Sequence, residues 1–213
     1  MKQRNFSGAT CEVKENLTSG AGAFFMDFDM ATDLDRLADP TLYQALLSEK
    51  GLGATQGGGN FTATPVTRQI EVDGSDPITV YDGWDVKMTA NILEIAERPL
   101  KLALGTGAIS QPENGLDTRY KLIQANRNVK SDDYIENITW IVSKAGYEDP
   151  MIIQIFNAIS ESGININIAD KENQPLAITF ASMVDLCRNP EFADKAPFSI
   201  YDPIVKIGAV PTP

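Results

Sequence analysis

The sequence predicts a mainly β domain, a β-sandwich or partly closed barrel of antiparallel strands with one or two short helices. Three observations carry that prediction. Apolar and polar residues alternate with period two through several stretches after residue 53, the pattern of strands with one buried face. Glycine, proline and asparagine punctuate those stretches at turn spacing. The chain has 213 residues, 43% hydrophobic and 22% charged, with no internal repeat or low-complexity tract, so one sizeable core is within reach.

Residues 1–30 read as an extended N-terminal arm and residues 31–213 as a single β-rich domain. The arm mixes polar and glycine-rich stretches and ends in TSGAGAFFMDFDM. Residues 19–22 are expected to act as a hinge, leaving Phe24, Phe25 and Phe28 free for contacts outside the domain. A helix follows: Asp39 can cap it, Pro40 suits its first position, Leu42, Ala45 and Leu46 share a face, and Gly51 can end it.

From Gly53 the period becomes two. In FTATPVTRQIEV, Thr62, Thr64, Val66, Arg68, Ile70 and Val72 fall on one face, and Phe61, Ala63, Thr67, Gln69 and Glu71 on the other. Pro65 donates no ladder bond, which places this strand at an edge or at a bulge. WDVKMTANIL alternates cleanly, with Trp84, Val86, Met88, Ala90 and Ile92 on the apolar face. Arg98 and Pro99 open a second short helix over residues 100–104, stopped by Gly105. Further strands are expected at residues 119–124, 134–142 and 151–156. Ile164, Ile166 and Ile168 then pair with Leu176, Ile178 and Phe180 as a hairpin looped at residues 170–174, and PFSIYDP closes the domain. Trp84 and Trp140 both lie in alternating strands, so core packing is their expected use.

The chain has no histidine. That removes the commonest general base and metal ligand and every Ser-His or Cys-His nucleophile, so an enzyme is not expected. The run DFDMATDLD gathers Asp27, Asp29, Asp33 and Asp35. It fails as an EF-hand loop, because Ala31, Thr32 and Ala38 occupy the positions of a ligand, the glycine and the bidentate Glu. A solvated acidic loop is the expectation. GLGATQGGGN spaces Gly53 and Gly58 like a P-loop but has Gly59 and Asn60 in place of Lys and Ser/Thr, with a strand behind it. Its glycines are expected to give positive φ or close backbone approach. Neither a cofactor nor a metal is expected.

With 18 basic and 29 acidic residues the net charge is −11, which repels nucleic-acid phosphates in the absence of a basic cluster. Lys2 and Arg4 precede no apolar run, so the chain is expected to stay where it is made, without a membrane span. Cys11 and Cys187 read as free thiols in a reducing compartment. The sequons at Asn5, Asn16, Asn60 and Asn137 read as products of an Asn- and Thr-rich β composition.

GATQGGGNFTATPVTRQIEVDG, then GWDVKMTANILEI and RPLKLALGTG, resembles the major tail tube proteins of long-tailed bacteriophages. The residues that carry the resemblance are Gly53, Ala54, Thr55, Gly57, Gly58 and Phe61, then Arg68, Ile70, Val72, Asp73 and Gly74, then Gly83 and Trp84, and finally Leu100, Leu102 and Leu104. GININIADKENQPLAITFASMVDL and PFSIYDP are similar to the family's closing hairpin and last strand, which extends the resemblance over residues 50–205. It implies a structural virion protein, assembled in the host bacterial cytoplasm, whose hexameric rings stack into the conduit for DNA ejection. The implied partners are copies of the chain, with tape-measure, tail-terminator and baseplate or tip proteins, and DNA passes through the lumen without specific binding. On that reading the arm and the glycine-rich loops touch adjacent subunits or rings. An acidic wall would let DNA slide. The alternatives are the tube of a phage-derived bactericidal or injection particle, and a monomeric β-sandwich adhesin or carbohydrate-binding module.

Overall fold

A computed structural model describes residues 17–105, 107–110, 122–167, 174–184 and 195–207. The elements run in the order β1 (Thr18–Met26), α1 (Pro40–Lys50), β2 (Thr55–Ile70), β3 (Ile78–Ile92), α2 (Glu97–Leu104), β4 (Gly107–Ser110), β5 (Leu122–Ala125), β6 (Ile135–Lys144), β7 (Met151–Ser160), β8 (Leu176–Ser182) and β9 (Phe198–Tyr201). The fold is mainly β, with 48% strand against 16% helix among the described residues.

Seven strands make one antiparallel sheet in the order β1-β6-β7-β8-β3-β2, with β9 also paired to β7, while β4 and β5 form a separate ribbon. The sheet curls until its outermost strands meet at one end. There Leu52 N donates to Phe24 O at 2.9 Å and Thr55 Oγ1 donates to Gly22 O at 3.2 Å. Inside the curl, Phe24, Met88, Ile92, Ile138, Ile155 and Phe180 form the main core. A second core lies on the outer face of β1, β6 and β7, where Phe25, Phe28, Ile141 and Ile152 pack against Leu46 of α1. Adjacent strand residues point to opposite faces, so Phe24 serves the first core and Phe25 the second.

The helix signals hold in their ends and shift in their face. Asp39 Oδ1 accepts from Thr41 N at 2.7 Å and Leu42 N at 3.2 Å, Pro40 is the first helical residue and Gly51 follows the last. The inward face of α1 is Tyr43, Leu46, Leu47 and Lys50, whereas Leu42 and Ala45 are exposed. The apolar spacing in this segment admits both faces, and the rings of Phe25 and Phe28 on β1 and the loop after it fix the choice. α2 begins at Glu97, before Arg98 and Pro99, and stops at Gly105.

Two expectations are overturned. From Thr18 onward the expected arm is a sheet strand: β1 pairs with β6 from Thr18↔Lys144 to Met26↔Ile138. Phe24, Phe25 and Phe28 are at most 1% exposed, so they hold this chain's own cores together instead of reaching a neighbour. The expected hinge is a bulge, marked by a register shift between Ser19 and Ala23. A Cβ at Gly22 would run into the Trp140 indole and the Ile141 carbonyl. Residues 1–16 of the expected arm, with Cys11, Asn5 and Asn16, lie outside the described residues, as does Cys187.

The second correction concerns Ile164 and Ile166. They are exposed, and residues 161–167 form no strand, because β8 takes its partners from β3 and the end of β7 instead of from a local hairpin. Ile168 and most of the expected loop at 170–174 lie outside the described residues.

Candidate functional site

The β2–β3 ladder is longer than the sheet that holds it. It runs from Thr55↔Ile92 to Ile70↔Ile78, while the pairing of β3 with β8 ends at Lys87↔Ala181. Past that point β2 and β3 continue as a two-stranded ribbon closed by residues 71–77, with Ser75 N donating to Val72 O. β2 is the last strand of the sheet, one of the two settings, edge or bulge, that Pro65 led us to expect. Val66, Ile70, Val72, Ile78 and Tyr81 are exposed along the ribbon.

Apart from Leu100, Leu102 and Leu104, which lie on α2, the residues that carry the resemblance follow this one ladder and its two ends. Gly53 and Ala54 lead into it. Thr55 ties it to β1, and Gly57 and Gly58 take positive φ within a register shift between Thr55 and Gly59. The next residue, Gly59, is a close approach: a Cβ there would strike the Phe24 ring and the Thr89 carbonyl. The glycine run is therefore a bulge that lets β2 pass over β1, in keeping with the conformational role expected of it. Phe61 is half-buried, with its ring 5.5 Å from that of Phe198. Arg68 Nε donates to Asp82 Oδ1 at 3.0 Å, and Asp73 and Gly74 sit in the closing turn.

Trp84 departs from expectation. It continues the alternation of Val86, Met88, Ala90 and Ile92 but is 39% exposed, because it lies where β3 has run past its pairing with β8, which ends at Lys87↔Ala181. Its ring meets Tyr81 at 6.0 Å and Phe198 at 5.5 Å, both nearly edge-on. Trp140 does pack on the core, stacked against Phe24. Sequence reasoning missed Phe198 as the prop beneath the ribbon's base. Its strand was legible in PFSIYDP, but its long-range partners have no local signal.

The acidic loop after β1 is not uniformly solvated. Asp33 is 2% exposed and binds Lys50 Nζ at 2.6 Å and Arg36 Nη1 at 3.0 Å, while also accepting from Asp29 N. Burial alone would push its carboxyl up; the hydrogen bonds from Lys50, Asp29 N and Arg36 outweigh burial and hold it below the ordinary value. Asp27 behaves oppositely, raised by burial and then by Glu136. This network clamps the loop to α1 and leaves Asp33 committed to two cations.

Among the described residues no group of three or more His, Cys, Asp or Glu is placed to hold a metal ion, and no helix is long and apolar enough to cross a membrane. The outward face of β2, β3 and β8 carries Asn60, Thr62, Thr89, Asn91 and Thr179, with Thr89 and Thr179 hydrogen-bonded across the ladder at 2.9 Å. Lys87 on that face is paired with Glu161 at 2.8 Å. This arrangement presents a polar wall and an exposed ribbon. No protein-family model matches the chain, and no curated protein is significantly similar to it.

Proposed function

We propose that the chain is a structural, tube-forming subunit of a phage-like tail, assembled in the bacterial cytoplasm into stacked hexameric rings that conduct DNA. The observation that carries this reading is the β2–β3 ribbon. It exposes unpaired strand edges and apolar side chains on a segment that no element among the described residues covers. Free edges and exposed apolar patches are liabilities in a monomer and become contacts when copies associate. Heterologous contacts of this kind close into rings or continue as filaments. Most of the residues that resemble tail tube proteins, from Gly53 to Trp84, lie along the same ladder and its ends, and the polar face of β2, β3 and β8 suits a water-filled wall. Its lysine is neutralised by Glu161, so the face would offer little hold to a polyanion.

Size-exclusion chromatography and negative-stain imaging of the concentrated full chain test the reading. Rings or tubes of uniform diameter are expected, and a species that stays monomeric overturns it.

A carbohydrate-binding module draws on the exposure of Tyr81 and Trp84. Their rings meet at 76°, which fills a corner instead of offering the flat platform on which a sugar face stacks.

A further inference from the structure

The two ends of the β2–β3 ladder are chemically matched. At the closing turn, Val72 and Ile78 are 39% and 56% exposed. Glu71, Asp73 and Asp76 surround them, and none has an ion-pair partner among the described residues. At the opposite end, beside Gly53 and Glu94, a groove of about 570 Å³ opens between α1 and α2. Leu47, Leu52 and Leu102 give it an apolar floor, and Arg98 and Lys101 stand at its rim.

The rim carries both signs, with Glu94 and Glu97 beside Arg98 and Lys101. Glu94 already accepts from Ala54 N, and Glu97 is also engaged. Arg98 donates only to the carbonyls of Gly51 and Ser48, so its charge meets no carboxylate among the described residues, and neither does that of Lys101. On the far side of Lys101 a separate cleft gathers Asp27, Asp133 and Glu136, which would turn an acidic turn away from that side and toward the groove.

We propose that residues 71–77 of one copy seat in the α1–α2 groove of the next, with Val72 and Ile78 on the leucine floor and the turn's carboxylates against Arg98 and Lys101. This rests on the tube-subunit reading and names the receiving site that reading leaves open. Tip and groove lie about 50 Å apart along the strand, at roughly 3.3 Å per residue. A contact joining opposite ends of one element is heterologous: each copy uses its tip on one neighbour and its groove on another, so the contact propagates along an axis.

The test uses the full chain with Cys11→Ser and Cys187→Ser. One preparation adds Asp73→Cys and another Lys101→Cys; the two are mixed, assembled and mildly oxidised. A covalent dimer that forms in the mixture and in neither preparation alone is the expected result. A second arm needs no cysteine. Lys101→Glu is expected to raise the concentration needed for assembly about tenfold, and combination with Asp73→Lys and Asp76→Lys to restore it. Circular dichroism of each variant confirms the fold. Tubes that form without the cross-link, or that ignore the charge reversal, overturn the tip-and-groove contact and leave the tube reading standing. A parent chain that never assembles overturns both.

Discussion

The ring of Phe24 lies flat on the indole of Trp140, centroids 5.2 Å apart and planes 8° from parallel. This stack joins β1 to β6 inside the main core, and Gly59 of β2 passes directly over the same phenyl ring. Phe24→Ala is expected to cost about 3–5 kcal/mol, as large-to-small changes of buried aromatics do. Denaturant unfolding of the full chain measures it. Deleting residues 1–30 removes the strand itself, so the product is expected to lack native far-ultraviolet circular dichroism. A folded product would show that β1 is dispensable.

The glycine run separates two kinds of constraint. At Gly59 a side chain has nowhere to go, and Gly59→Ala is expected to destabilise by about 1–3 kcal/mol through overpacking. At Gly57, φ is 74° and nothing lies within 4 Å of a Cβ, so Gly57→Ala is expected to cost only the left-handed strain, about 1–2 kcal/mol. Adding a larger residue tells them apart. Gly59→Val should worsen steeply over Gly59→Ala, because the obstacles are a core ring and backbone, while growth at Gly57 meets open space.

Two carboxylates should pull the pH dependence of stability in opposite directions. Asp33 is held below its ordinary value of 3.8. Its stabilising contribution is therefore complete above that value and is lost as pH falls through the lower native one. Asp33→Asn is expected to lower the melting temperature at pH 7 and to flatten the acid limb of the stability curve.

Asp27 is raised by burial and Glu136, so its ionised form weakens the fold at neutral pH. Asp27→Asn keeps an acceptor for Glu136 N and tolerates the positive φ of 52°. It is expected to raise the melting temperature at pH 7, with the gain vanishing below the ordinary carboxylate range. A fall at pH 7 would contradict this assignment.

Gln154 is 2% exposed and donates to Thr139 Oγ1 at 2.8 Å and to Phe28 O at 3.1 Å. Asn137, half-buried, extends the set, accepting from Phe28 N and Thr139 Oγ1. Gln154→Leu keeps the bulk but strands these groups, and is expected to cost about 1–3 kcal/mol by chemical denaturation.

The mainly β fold was legible because period two is a local property. Val86, Met88, Ala90 and Ile92 advertise a buried face within seven residues, and Asp39, Pro40 and Gly51 mark helix ends by chemistry confined to a single turn. Where the sequence misled, the deciding partner was distant. The glycines before Phe24 suggest a hinge until Trp140 stands against Gly22, and Trp84 suggests core until β8 stops short of covering it. Pro65 pointed to an edge or a bulge because a missing donor has the same meaning in any context, and β2 has both, the last place in the sheet and a register shift at Val66 and Thr67. The α1–α2 groove had no sequence signal: its floor leucines come from separate segments, and each reads alone as ordinary core.

Phe28 and Asn137, hydrogen-bonded at 109 residues' separation, show how late this molecule can complete itself. β1 is made early and its ladder partner β6 follows more than a hundred residues later, so a nascent chain carries Phe24 and Phe25 without the cover of Trp140 and Ile141 through the synthesis of the whole β2–β3 ribbon. Non-local pairing of this kind slows folding and lengthens the time during which apolar surface is open to other chains. During that interval the sticky surfaces of the half-made chain and of finished copies are present together, and the cell must keep them apart.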